Sequence, residues 1–311
     1  MTARCLVHIG YHKTATNWFQ RSYYPAVTNR TYVHRKRVRA AFLDVHALEF
    51  SPDQAIAALE VGHTNGLILC EEELSGNLHN GGLQGFLSKE VAYRLKATLP
   101  DADVAIFIRS QPDMICSVYK QYIKEGGTHS PRRYLYPFDR LDPHGFSPKK
   151  TPYFSFQHFD YRLLIDHYRQ VFGAERVHVF LYEEFSREPQ RFMDDYARRF
   201  GLEVDLASVP QSRLNVSNKR LSLWVARKMN HFSYRNVMDK RLILNIPGMY
   251  RLRHRLVAPL LDRFAFFSGP AGPRAILGDA IVQRIEERYR ASNRALAHEL
   301  GLPLDRWGYP V

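Results

Sequence analysis

The sequence predicts an α/β protein built on a central, mainly parallel sheet. Short apolar runs, Cys5-Leu6-Val7-His8-Ile9, Gly66–Cys70 and Val104–Ile108, carry no polar alternation. Segments of helical period separate them. Each run stops abruptly at charged residues: His12-Lys13 beyond the first, Glu71-Glu72-Glu73 after the second, Arg109 after the third. Strands that are apolar on both faces belong to a sheet covered on both sides, which is how parallel sheets are built.

The elements follow in order. Residues 4–9 read as a strand and 14–24 as a helix whose apolar members are Trp18, Phe19 and Tyr23. A polar stretch (28–39) leads to a helix at 52–61 and a second strand at 66–70. A helix at 88–97 precedes the third strand, 104–108. Pro112 suits a first helical position, and that helix runs to about Glu125, where Gly126-Gly127 stops it. Residues 128–155 mix prolines, tyrosines and basic residues without a period and read as a long loop, a length usually kept for function or disorder. A helix at 157–171, a strand at 177–182 and a helix at 188–200 resume the alternation. Residues 213–263 are strongly basic, opposed only by Asp239 and Asp262, and 277–300 form a final amphipathic helix. No internal repeat or linker divides the chain, so residues 1–311 read as one domain with a basic, mainly helical insertion at about 220–275.

The 311 residues carry a formal charge of +13, which favours anionic partners. Cys5, Cys70 and Cys116 fall inside apolar periodic segments and read as buried free thiols, as a reducing compartment permits. No run approaches the roughly 18 apolar residues of a membrane span, and no signal-peptide pattern opens the chain. The expectation is a cytoplasmic protein.

The stretch HIGYHKTATNWF, residues 8–19, reads as an anion-holding loop between the first strand and helix. In an open parallel sheet, ligands bind beyond the carboxyl ends of the strands, and a following helix aims its free N–H groups at a bound anion. Lys13 supplies a point charge, and Thr14 and Thr16 supply hydroxyls. The Walker A pattern GxxxxGK[ST] is not met, because Gly10 is the only glycine. No strand ends in an aspartate suited to magnesium, so no metal is expected.

His12-Lys13-Thr14-Ala15-Thr16-Asn17-Trp18 resembles the 5′-phosphosulfate loop, close to PK[ST]GTTW, of sulfotransferases that use 3′-phosphoadenosine 5′-phosphosulfate (PAPS). Ala15 stands for the usual glycine and Asn17 for a second threonine or serine. Arg109-Ser110-Gln111-Pro112 with Ser117-Val118-Tyr119 is similar to the family's 3′-phosphate segment, roughly RxPxxxxxSxY, with Gln111 inserted before Pro112. Phe172-Gly173, Val177–Tyr182 and Glu183 continue the likeness, as does Asn215-Val216-Ser217. Tyr289, Asn293 and Gly308-Tyr309-Pro310 resemble bacterial members that modify surface carbohydrates.

The resemblance implies a P-loop-containing three-layer fold and sulfuryl transfer from PAPS to a hydroxyl or amine. It implies Lys13 on the leaving-group side, with His12, Thr14, Ala15, Thr16 and Asn17 around the 5′-phosphate. Arg109 and Ser117 would hold the 3′-phosphate, Asn215 and Ser217 would touch the nucleotide, and Glu72 would be the base. The loop 128–155 would bind the acceptor, a carbohydrate, glycolipid or small alcohol. The basic segment would meet an acidic glycan or lean on an anionic membrane at its inner surface, and no specific nucleic acid is expected. The competing readings are a P-loop kinase, which needs magnesium ligands, and a polyanion-binding protein on a decayed enzyme fold.

Overall fold

The computed structural model describes residues 3–137, 153–209, 220–234, 241–257 and 272–311. The chain divides into two compact units, one of residues 1–109 and 157–214, the other of 110–156 and 215–311.

The first unit holds a five-stranded parallel sheet, β1 (Leu6–Gly10), β2 (Thr31–Val33), β3 (Leu67–Cys70), β4 (Asp103–Ile108) and β5 (Val177–Leu181). The order is β2-β3-β1-β4-β5, with Val7 beside Leu69 on one side and Val104 on the other. The expected α/β class with a parallel sheet is what forms, and every residue of β1 and β3 is buried.

Strand alternation divides this core into two layers. Leu6, Ile68, Cys70, Ala105 and Phe107 face an aromatic cluster that includes Phe19, Tyr23, Tyr24, Phe185 and Tyr196. The helix at Pro189–Phe200 joins that layer because Phe192, Tyr196 and Phe200 recur every four residues on one face. Helices Phe86–Thr98 and Tyr161–Phe172 pack together in the other layer, the second also reaching β4 and β5. His8 belongs to the aromatic side. It is fully buried, stacks on Phe107 at 4.5 Å and shares a 2.8 Å hydrogen bond with Tyr24 through Nδ1. Trp18 packs on Phe185, in the structural role its position suggests.

Three local readings are corrected. The polar stretch 28–39 contains β2 and most of a helix, Arg35–Phe42, which buries Val38, Ala41 and Phe42 beneath a basic outer face. Charge density hid its spacing. The expected helix at 14–24 begins at Thr16 and widens into a π-helix at Phe19–Tyr23. Within 128–155, Pro131–Leu135 is helical, and Tyr134, Leu135 and Phe154 are buried. Residues 138–152 of that segment lie outside the described ones.

The second unit is helical. Its first helix, Gln111–Lys124, buries Met114, Ile115, Val118 and Tyr122, and its last, Asp279–Leu300, buries Val282, Ile285, Tyr289, Asn293 and Leu296. Asn293 exchanges two hydrogen bonds with Gln111, at 2.8 and 3.0 Å, and donates to the Pro310 carbonyl at 2.8 Å. Tyr289 donates to the Phe156 carbonyl at 2.7 Å, and Ser110 to that of Gly308 at 3.0 Å. The closing motif thus ties the chain's end to the start of helix Gln111–Lys124. Cys5, Cys70 and Cys116 are all buried, and none forms a disulfide.

Candidate functional site

The strand order reverses beside β1, because β2 and β3 lie to one side of it and β4 and β5 to the other. That reversal opens a crevice beyond the carboxyl ends of the strands. The segments after β1, β3 and β4 all end there.

Gly10 closes β1 at φ +100°, and a Cβ on it would stand 3.1 Å from the Glu72 carbonyl oxygen. Both the conformation and the close approach require glycine. Tyr11 then donates its N–H to the Phe107 carbonyl on β4 at 2.8 Å. Lys13 and Ala15 follow at φ 65° and 69°. Left-handed residues flanking Thr14 bend the backbone sharply on both sides of it, and turns of this kind are where backbone N–H nests form. Ala15 caps the helix starting at Thr16 without any side-chain hydrogen bond. Its left-handed backbone is the physical reason a glycine suits that position.

Thr14 and Thr16 are buried, and both hydroxyls donate to the Tyr11 carbonyl, the second at 3.3 Å. Their protons shape the loop, so contact with an anion falls first to backbone N–H groups and Lys13. Asn17 is exposed on the first turn.

Arg109, at the end of β4, reaches back to this loop, where its Nη1 donates to the Lys13 carbonyl at 3.2 Å. The guanidinium lies 4.6 Å from the centre of the Tyr182 ring, and Tyr161 hydrogen-bonds the Arg109 carbonyl. The Arg109 Nε is sealed from solvent without a hydrogen-bond partner.

The three glutamates after β3 separate by role. Glu71 is fully buried and takes a bidentate pair of bonds from Arg35 at 2.8 and 3.0 Å, while accepting from the Glu73 N–H. Burial pushes its carboxyl above the usual range, against the opposing hydrogen bond from Arg35. Glu73 pairs with Arg39 at 2.8 Å. Glu72 keeps 15% of its side chain exposed, 3.3 Å from Gln20 Nε2 and 3.6 Å from Arg35.

His12 and His158 each keep an edge at the surface, but His12 Nδ1, His158 Nε2 and the Tyr11 hydroxyl are sealed and unpaired. Burial, with His158 and Lys13 nearby, drives the His12 imidazole well below its ordinary pKa. Burial likewise lowers His158 to about 3. Both rings are therefore neutral at pH 7.

Sequence reading missed Arg35, Gln20 and His158 around this loop, and gave Tyr11 and Tyr182 no role of their own. Arg35 and Arg39, four apart on one helix, were the signal for the acid pairing; nothing in the linear spacing points to His158. Ser117 lies half-buried on helix Gln111–Lys124 of the second unit, and Asn215 and Ser217 fall outside the described residues. No cluster of three metal-ligating side chains occurs among the described residues.

The fold and site together define a parallel α/β protein whose central strand runs into a loop with left-handed backbone at Lys13 and Ala15. No family model matches the chain, and no curated protein matches it. Among solved structures it is similar to a sulfotransferase from Alicyclobacillus acidocaldarius, at 18% identity and a TM-score of 0.49, over 76% of this chain and 98% of that one.

Proposed function

We propose that this protein is a sulfotransferase that moves the sulfuryl group of PAPS onto a hydroxyl or amine of a carbohydrate or glycolipid acceptor. The observation that carries the reading is Arg109 seated on the Lys13 carbonyl at 3.2 Å, beside a loop with left-handed backbone at Lys13 and Ala15. It joins two motifs, separated by some 96 residues of chain, that the resemblance assigns to one nucleotide.

The residues fit such a ligand. Arg109 Nε and His12 Nδ1 are buried polar atoms without partners, and a buried polar group is costly unless something bonds it. PAPS, when bound, supplies an activated sulfuryl group. Lys13 would neutralise charge on the leaving phosphate oxygen, an effect typically worth about 3–4 kcal/mol. Glu72, oriented by Gln20 and Arg35, would take the acceptor's proton as the acceptor atom forms its bond to sulfur and the sulfur–phosphate oxygen bond breaks. The products are then the sulfated acceptor and 3′-phosphoadenosine 5′-phosphate (PAP).

Calorimetric titration with PAP, ATP and AMP, on the wild type and on Arg109→Ala, tests the reading. Binding that depends on the 3′-phosphate and is lost in Arg109→Ala supports it. Equal or tighter binding of ATP with magnesium overturns it in favour of a kinase.

A further inference from the structure

The basic segment of the second unit shows an arrangement unrelated to the loop after β1. Residues 220–234 and 241–257 contain arginines and a lysine but no aspartate or glutamate. Arg227, Lys228, Arg241, Arg251 and Arg255 have no carboxylate within ion-pair distance among the described residues. Large apolar side chains stand out between them: Tyr234 is 72% exposed, Ile243 69%, Leu256 62%, Leu244 60%, Trp224 53% and Leu252 45%. Sequence alone left open whether Leu242–Leu252 packs on a core or faces outward. The exposures decide for outward.

Residues 231–234 and 241–246 share one neighbourhood. Ile243 and Ile246 donate their N–H groups to the carbonyls of His231 and Phe232, at 2.9 and 3.0 Å. Tyr234 N–H bonds the Asn245 side chain at 2.9 Å. The strip 241–246 is thereby knitted along 231–234.

Beyond Gly248, helix Met249–Leu252 continues into a π-helical turn, Arg253–Val257. Arg253 is buried there and donates to the carbonyls of Ile123 and Lys124, at 3.3 and 2.6 Å, and to Asn230 Oδ1. A cation on the last carbonyls of helix Gln111–Lys124 is favoured by the helix dipole. With Arg253 anchored inward, Leu252 and Leu256, four apart, both remain exposed.

We propose that this face is a docking surface for an anionic lipid bilayer. Apolar side chains flanked by Arg and Lys are the composition of segments that lie in the headgroup region. Phosphate headgroups would meet the exposed guanidinium groups of Arg241, Arg251 and Arg255, while Ile243, Leu244, Leu252 and Leu256 would enter the acyl boundary. A second copy of the chain fits less well, because a two-fold contact would set arginines against arginines. A nucleic acid would satisfy the arginines and leave the aliphatic side chains in water. The attachment is peripheral, since no helix among the described residues is long and apolar enough to cross a membrane.

Co-sedimentation of the full chain with vesicles of phosphatidylcholine, alone or mixed with phosphatidylglycerol, is the test. The anionic vesicles should bind at least about tenfold more strongly, with added salt weakening the difference. Arg251→Gln with Arg255→Gln should lower partitioning about fivefold per residue. Ile243→Asp with Leu244→Asp should lower it by at least about tenfold. All four positions are exposed, so thermal midpoint and PAP titration should be unchanged in both double variants. The proposal is overturned by equal binding to both vesicle types, by absence of binding to either, or by variants that bind as well as the wild type. Light scattering that shows a dimer dispersed by Ile243→Asp/Leu244→Asp would assign the face to a second copy instead.

Discussion

Residues 5–19 and 241–257 draw on the same materials, aliphatic and aromatic side chains with interspersed cations, and use them in opposite ways. In the first stretch every residue of β1 is buried and Phe19 is fully enclosed. In the second, Ile243, Leu244 and Leu252 face outward, and the arginine that is enclosed, Arg253, replaces a counter-ion with backbone carbonyls. The contrast teaches that hydrophobic content does not identify a core. A parallel strand is covered on both faces by its neighbours, whereas a short helix anchored by one arginine covers only the side it leans on.

The comparison can be broken most directly at the core. Phe19→Ala should cost ~3–5 kcal/mol in denaturant unfolding, whereas Leu244→Ser should change stability by less than ~0.5 kcal/mol. Comparable costs at both sites would erase the distinction. Lys13→Ala should leave folding intact and reduce transfer by about two to three orders of magnitude, read as kcat with PAPS and a competent acceptor.

Acid sensitivity separates the regions next. His8 is held at about 3, against an ordinary 6.5, because burial disfavours the imidazolium. The unfolded chain therefore binds its proton first. Stability from this group is complete above about pH 6.5 and falls as pH drops toward about 3, at ~1.4 kcal/mol per pH unit. His158 is lowered to about 3 as well and adds to the slope. Equilibrium unfolding from pH 7 to pH 5 should show this loss, and His8→Gln should remove one proton's share of it. The smallest effect belongs to the loop: Ala15→Gly should stabilise by ~0.5–1 kcal/mol, since φ 69° is costly for a residue with a Cβ. A loss on that substitution would show that the side chain supports the nest.

Much of this architecture was legible in particular residues. Gly66–Cys70 and Val104–Ile108 read as buried strands because nothing polar interrupts them, and Pro112 and Gly126-Gly127 bracket their helix by backbone chemistry. The helix Arg35–Phe42 stayed hidden because its identity rests on three buried residues among five exposed or half-exposed ones, four of them basic. At the candidate site, Lys13, Arg109 and the run Glu71-Glu72-Glu73 stood out as charges at strand ends, a signal that linear order can carry, while Glu72 was singled out by the resemblance alone. His158 could not, since it comes beside Tyr11 only through the packing of distant segments, with ring centres 5.2 Å apart.

The order of residues by itself determined the parallel α/β alternation, the glycine at the turn after β1 and the surplus of positive charge. These depend on local backbone preference and composition. The tertiary structure decided which of three adjacent glutamates is sealed, which hydroxyls turn inward and which hydrophobic residues meet water. Those depend on neighbours far away in the chain, because burial is a property of what covers a side chain and not of the side chain itself.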